Sequence, residues 1–153
     1  MAGLRILIIE ARFYDEITDH LIRGVVGELA AVGAGYKRVI VPGIFEIPAA
    51  IRYAIRAMEL RATDERYGGY VAIGCALRGE TDHYDNICRS TFQALQDLAI
   101  QYTLALGNGI LTCHDEDQAL ERASVEGRNF GSQAARACLR MIEIKRELSL
   151  IPK

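Results

Sequence analysis

Tryptophan is absent from this chain, and of its eighteen lysine and arginine residues only Lys37, Lys145 and Lys153 are lysines. None of the three lies near the motifs described below. That argues against a Schiff-base lysine and leaves any anion site to arginine and backbone amides. Cysteine is no better placed for chemistry. Cys75, Cys88, Cys113 and Cys138 form no CxxC pair, so neither a zinc site nor a disulfide framework is expected, and the four read as reduced, buried thiols. Cys113 and His114 are neighbours on a strand-like run, where adjacent side chains point to opposite faces. The charge balance is −2, with no basic tract, which speaks against nucleic acid as a partner. No apolar run approaches the roughly 20 residues of a membrane helix. The turn after the first strand reads EARFYD rather than GxGxxG, and no GxxxxGK[ST] is present, so NAD and ATP are both unsupported. The start, Met1 to Arg5, runs straight into a strand and leaves no room for a leader, so a cytoplasmic location is expected.

What is present is the composition of an ordinary globular domain, half hydrophobic and a quarter charged over 153 residues, expected as a single domain spanning 1–153. The apolar pattern alternates in kind. Leu4 to Glu10 is a continuous apolar run, as in a strand covered on both faces. Asp15 to Val32 carries Ile17, Leu21, Val25, Leu29 and Val32 at helical spacing, with Gly33 as its stop. Tyr36 to Val41 predicts a strand, and Ile47 to Leu60 a helix with Pro48 in its first turn. Tyr70 to Leu77 predicts a third strand, and Thr81 to about Leu104 a long helix. Gly109 to Cys113 is a fourth strand, followed by helices at Asp115 to Ala123 and Gly131 to Leu148. In the last of these Ala135, Leu139, Ile142 and Lys145 share a register. Strands separated by helices of this length imply βαβ units and a four-stranded parallel sheet flanked by helices.

In such sheets ligands bind beyond the carboxyl ends of the strands, so the segments after strands carry the function. Arg78 to His83 (RGETDH) follows a strand and opens a helix. Thr81 could cap that helix, free amides there could hold a phosphate, and His83 would project toward the same cavity. Capping alone would equally account for Thr81 and His83. Pro42 to Pro48 places Glu46 at a helix start, where its carboxylate could serve a ligand or simply complement the helix dipole. Phe13, in Arg12 to Tyr14, could stack on a planar heterocycle or plug the end of the sheet.

Taken together, RFYD (12–15), VPGIFEIP (41–48), GCALRGETDHYD (74–85), GNGILT (107–112) and ALERA (119–123) resemble the lumazine synthase family over nearly the whole chain, from Leu4 to Lys145. The RGxTxH and PGxFEIP elements, each after a strand, make the combination specific. The resemblance implies a flavodoxin-like three-layer sandwich and an active site shared between neighbouring subunits of a homopentamer. It implies that Phe13 stacks on a pyrimidine ring, while Ile44, Phe45 and Glu46 hold the ring and its ribityl chain. Ala76 and Leu77 belong to the same binding surface. The Glu80-Thr81 backbone would bind phosphate, His83 would transfer protons, and Arg122 would reach the phosphate from the adjacent subunit. Asn108 and the segment near Phe130 would line the neighbour's side. The family often has an aromatic residue in place of Asn108 and usually a lysine in place of Phe130, for which Arg128 is the nearby substitute. Capsid-forming relatives commonly carry an extra N-terminal strand, so the short start here predicts a plain pentamer.

The implied reaction is a transferase step of riboflavin biosynthesis. It joins 5-amino-6-(D-ribitylamino)uracil to 3,4-dihydroxy-2-butanone 4-phosphate and yields 6,7-dimethyl-8-ribityllumazine, phosphate and water, with no cofactor or metal. The substrate brings its own amine, so no enzyme lysine is required. The main rival is a non-catalytic flavin- or lumazine-binding relative of the same fold; an electron carrier of that fold would have no use for the RGETDH segment.

Overall fold

The computed structural model describes residues 1, 3–79 and 83–152. Strand β1 (Arg5–Ala11) leads into helix α1 (Asp15–Ala31), and β2 (Gly35–Val41) into a 3-10 turn (Ile44–Glu46) and α2 (Ile47–Glu59). Strand β3 (Gly69–Leu77) precedes α3 (Tyr84–Tyr102), β4 (Leu106–Cys113) precedes α4 (Glu116–Ala123), and α5 (Phe130–Glu147) closes the chain. The strands form one parallel sheet in the order β2-β1-β3-β4, the beginning of the flavodoxin order.

The alternation of side chains along a strand builds the three layers. Ile6 and Ile8 of β1 join Leu21, Val25 and Leu29 of α1 and Ala135 and Ile142 of α5 in a core on one face. Leu7 and Ile9 join Ile47, Ile51 and Ile55 of α2 and Leu95 of α3 on the other. The two central strands are thus apolar on both faces, which is why β1 reads as an unbroken apolar run. Order reverses between β1 and β3: the chain leaves β1 for β2 on one side and returns to β3 on the other. The carboxyl ends of β1 and β3 therefore flank the crevice where such folds bind ligands.

Several boundaries differ from the sequence expectation. The strand expected from Gly109 begins at Leu106, so Asn108 lies within β4 and not before it. The helix expected from Thr81 begins at Tyr84, with His83 as its N-cap. Lys145 does not share the buried register of α5. Its Nζ donates to the Thr103 carbonyl over 2.8 Å, satisfying a group left open where α3 ends in a left-handed residue. Among the described residues no helix is long and apolar enough to cross a membrane.

Candidate active site

Two turns and a strand end meet where β1 and β3 finish. The short turn after β1 carries Phe13, the 3-10 turn after β2 carries Ile44 and Phe45, and β3 itself delivers Cys75, Ala76 and Leu77. Tyr14, Tyr84 and Ile87 complete the lining of a cavity of about 290 Å³. The pieces fit closely because residue 74 is glycine: a Cβ there would stand 2.8 Å from Ile44 Cγ2 and 3.3 Å from the Ala11 Cβ. Ile44 is buried against this gap, while Phe13 is 73% and Phe45 67% exposed. Large apolar rings left in water at a concave site are typical of a surface that receives a flat ligand.

The cavity's ionisable groups do not supply a nucleophile. Burial pushes the Cys75 thiol up to about 12, keeping it protonated. Burial also raises Tyr84, against a hydrogen bond with Thr112 that pulls the other way, so its phenol remains a donor. Among the described residues no cluster of three His, Cys, Asp or Glu side chains is arranged to hold a metal ion.

Behind Phe13 lies a charged network. Glu10, at the end of β1, has no exposed surface. Its Oε2 accepts from Arg38 Nε at 2.7 Å, and its Oε1 accepts from Arg38 Nη2 and Arg12 Nη1, each at 2.8 Å. Burial pushes the Glu10 carboxyl up, but the two guanidiniums outweigh it and hold the group below its ordinary value. Arg12 also donates through Nε to Asp15 Oδ1 at 2.8 Å and through Nη2 to Asp19 Oδ1. Burial works against its charge, and these partners more than offset it, so its pKa is raised.

A second cavity, of about 270 Å³, opens at the outer side of β4. Ile110, Leu111, Thr112, Arg122, Arg128, Phe130 and Gln133 line it. Arg122, in the last turn of α4, leans on the end of β4 with Nη1 3.6 Å from Cys113 Sγ. Asp115 caps that helix by accepting from the Gln118 backbone N–H at 2.8 Å. Arg128 is mostly exposed, with Nε 3.8 Å from Glu121 Oε1. This pocket holds two guanidiniums and a hydroxyl but little aromatic surface; the described lining of the first is aromatic and aliphatic, with the Arg78 guanidinium nearby, 5.3 Å from the centre of the Tyr84 ring.

Of the residues singled out in the sequence, Phe13, Ile44, Phe45, Ala76 and Leu77 come together in the first cavity. Glu46 is exposed at the N-cap of α2, and its carboxylate folds back over Gly43, a lining residue. His83 is exposed beside Tyr84 and is not itself part of the lining. Glu80 and Thr81 lie outside the described residues. Arg122 lies in the second cavity, and Asn108 belongs to neither: its Oδ1 accepts from the Ile110 backbone N–H at 3.0 Å along the open edge of β4. Sequence reasoning gave no role to Tyr84 and Ile87, although their three-residue spacing from the start of α3 puts both on the cavity side. It also passed over Glu10 and Arg38, which nothing short of the strand register brings together.

The fold and the site define an open parallel α/β protein with an aromatic-lined cavity at the carboxyl ends of its strands, a separate arginine-lined cavity beyond β4, and no dinucleotide loop. The comparisons with known proteins are more specific. The family model described as 6,7-dimethyl-8-ribityllumazine synthase matches residues 3–146. A protein of that name from Paramagnetospirillum magneticum is 49% identical over 146 residues, covering 95% of this chain and 97% of its own. Another from Afipia carboxidovorans is 45% identical over 149 residues, 97% of this chain and 90% of its own. A third, from Nitrobacter hamburgensis, is 46% identical with the same coverage. The chain therefore belongs to the 6,7-dimethyl-8-ribityllumazine synthase family.

Proposed function

We propose that the chain is a single catalytic domain that condenses 5-amino-6-(D-ribitylamino)uracil with 3,4-dihydroxy-2-butanone 4-phosphate to form 6,7-dimethyl-8-ribityllumazine. Beyond family membership, the observation that carries this reading is the cavity lined by Phe13, Phe45 and Tyr84, in which the exposed rings of Phe13 and Phe45 suit a flat pyrimidine. Phe13 stacks on that ring, while the backbone at Ile44 and Phe45 and the carboxylate of Glu46 hold its polar edge and ribityl chain. The Glu80-Thr81 backbone and Arg122 take the phosphate. The substrate amine attacks the ketone of the sugar phosphate, so the lack of an ionised thiol or nearby lysine is no obstacle. His83 moves protons during imine formation and phosphate elimination. Arginine and backbone amides stabilise the departing dianion. Holding two substrates in reacting geometry supplies much of the acceleration, a term that reaches roughly 7–11 kcal/mol in well-oriented systems.

In this reading the working unit is a ring of five copies in the cytoplasm. What supports it is that the surface proposed for the pyrimidine and Arg122 occupy separate cavities of one chain, as they would if a neighbour's second cavity completes the first. Exposed Ile40, Tyr53, Leu60 and Ile100 are in keeping with a surface that further copies cover. Asn108 and the Phe130 segment then face the neighbour's pocket. The test is a turnover assay with both substrates, following lumazine fluorescence. Steady product formation supports the enzyme; binding of lumazine or flavin with no turnover would instead make the chain a non-catalytic relative.

A further inference from the structure

Phe13 is the most exposed aromatic ring of the first cavity, and no core packing fixes it: its ring contact is edge-on to Tyr14, 5.0 Å away. The turn that bears it leads into α1 without a side-chain cap, since Tyr14 at the N-cap makes no such bond. An exposed ring samples several positions, and a ligand would have to order it on binding. Arg12, the residue directly before Phe13, removes that freedom. Its guanidinium bridges the end of β1 at Glu10 to the start of α1 at Asp15 and Asp19. Glu10 is in turn fixed to β2 by both nitrogens of the Arg38 fork. Arg38 already takes both oxygens of Glu10, so Arg12 is not the only counter-charge of that carboxylate. What Arg12 adds is a link between strand and helix across the three residues that carry the ring. Buried Thr18 ties the same turn from inside, its Oγ1 donating to the Ala11 carbonyl at 3.2 Å.

We propose that Arg12, anchored by Glu10 and Asp19, is a positioning residue that holds Phe13 over the cavity and so sets the affinity for the planar ring. This rests on the reading above, in which Phe13 stacks on the pyrimidine. A lysine at residue 12 keeps the charge but cannot reach three carboxylates at once.

The experiment measures Michaelis constants for both substrates and the dissociation constant of 6,7-dimethyl-8-ribityllumazine by its fluorescence, in Arg12→Lys, Asp19→Asn, Phe13→Ala and the double variant Arg12→Lys/Phe13→Ala. Arg12→Lys should raise the pyrimidine KM and the lumazine Kd about five- to tenfold, with the sugar-phosphate KM within about twofold of the parent. Asp19→Asn, an exposed change on α1 that carries little folding risk, should show the same split at smaller size. In the Phe13→Ala background Arg12→Lys should add almost nothing, because both changes remove one interaction. Equal rises in both Michaelis constants, or fully additive effects in the double variant, would overturn the clamp and leave Arg12 a general structural residue. If Phe13→Ala weakens lumazine binding but neither Arg12→Lys nor Asp19→Asn does, the clamp alone is wrong. If Phe13→Ala leaves lumazine binding unchanged, the stacking reading falls and the clamp with it.

Discussion

A carboxylate without exposed surface stands at the end of the central strand, and its charge persists there because two guanidiniums face it. The consequence for stability has a definite sign. Glu10 is held below its ordinary value of 4.5, so its ionised form is favoured by folding. That contribution is complete above pH 4.5 and is lost as the pH falls through the lowered folded value. In urea titrations the parent should therefore exceed Glu10→Gln in stability at neutral pH, and the gap should close on acidification. A gap that stays constant down to the acid limit would show that the ion pairs do not stabilise the fold. His83 poses the opposite case, an exposed residue whose proposed role is proton transfer. At saturating substrates His83→Ala should slow turnover by about 10²-fold, the low end for general acid-base groups, with lumazine affinity little changed. Unchanged turnover would remove it from the mechanism. At this scale the sequence shows which residue types are available but not which of them meet. Phe13 could be read from its place after a strand; Glu10 with Arg38 could not, because they are diagonal neighbours on adjacent strands, 28 residues apart in the sequence.

Helices and strands were legible wherever one period dominates. The apolar spacing of Asp15 to Val32 gives α1 to within one residue, and Pro48 marks the first turn of α2. The pattern failed at β4, where Gly107, Asn108 and Gly109 interrupt the apolar run and glycine is a poor strand former. Packing explains the exception: a Cβ on Gly107 would stand 2.0 Å from the Ala134 carbonyl oxygen, so α5 lies too close for any side chain there. The start of α3 failed for a related reason, since a capping pattern in sequence locates a helix end only to within a turn. The 3-10 turn after β2 invites a direct test of how packing shapes the cavity. Gly74→Ala places a methyl group against Ile44 Cγ2, and the turn must move outward to admit it. Overpacking of this kind costs about 1–3 kcal/mol in urea unfolding. It should also raise the pyrimidine KM, because Phe45 moves with Ile44, while leaving the sugar-phosphate KM nearly unchanged. A loss of stability with no change in either Michaelis constant would mean that the turn does not shape the pyrimidine site.

Scale matters most for the site as a whole, because one chain holds apart the pieces proposed for it. The aromatic cavity lies where β1 and β3 end, and Arg122 lies beyond β4 on the outer edge of the sheet. No local pattern in the sequence separates these two places; both follow strands, and a linear reading treats them alike. If neighbouring copies meet head to tail, each supplies the aromatic half of one pocket and the arginine half of the next, as heterologous interfaces in closed rings do. Arg122→Ala alone should then raise the sugar-phosphate KM far more than the pyrimidine KM, since its charge meets only the phosphate. Mixing is the sharper test. His83→Ala and Arg122→Ala damage opposite sides of the shared pocket, so rings reassembled from equal amounts of the two should contain about one quarter intact pockets. At a sugar-phosphate concentration well below the KM of Arg122→Ala, the mixture should exceed the activity of both parents, after the subunits have been dissociated and allowed to reassemble. Mixed rings can be verified by tagging one variant and co-purifying the other. If they form and turnover stays at the level of the parents, each chain must complete its own site and the shared pocket is wrong.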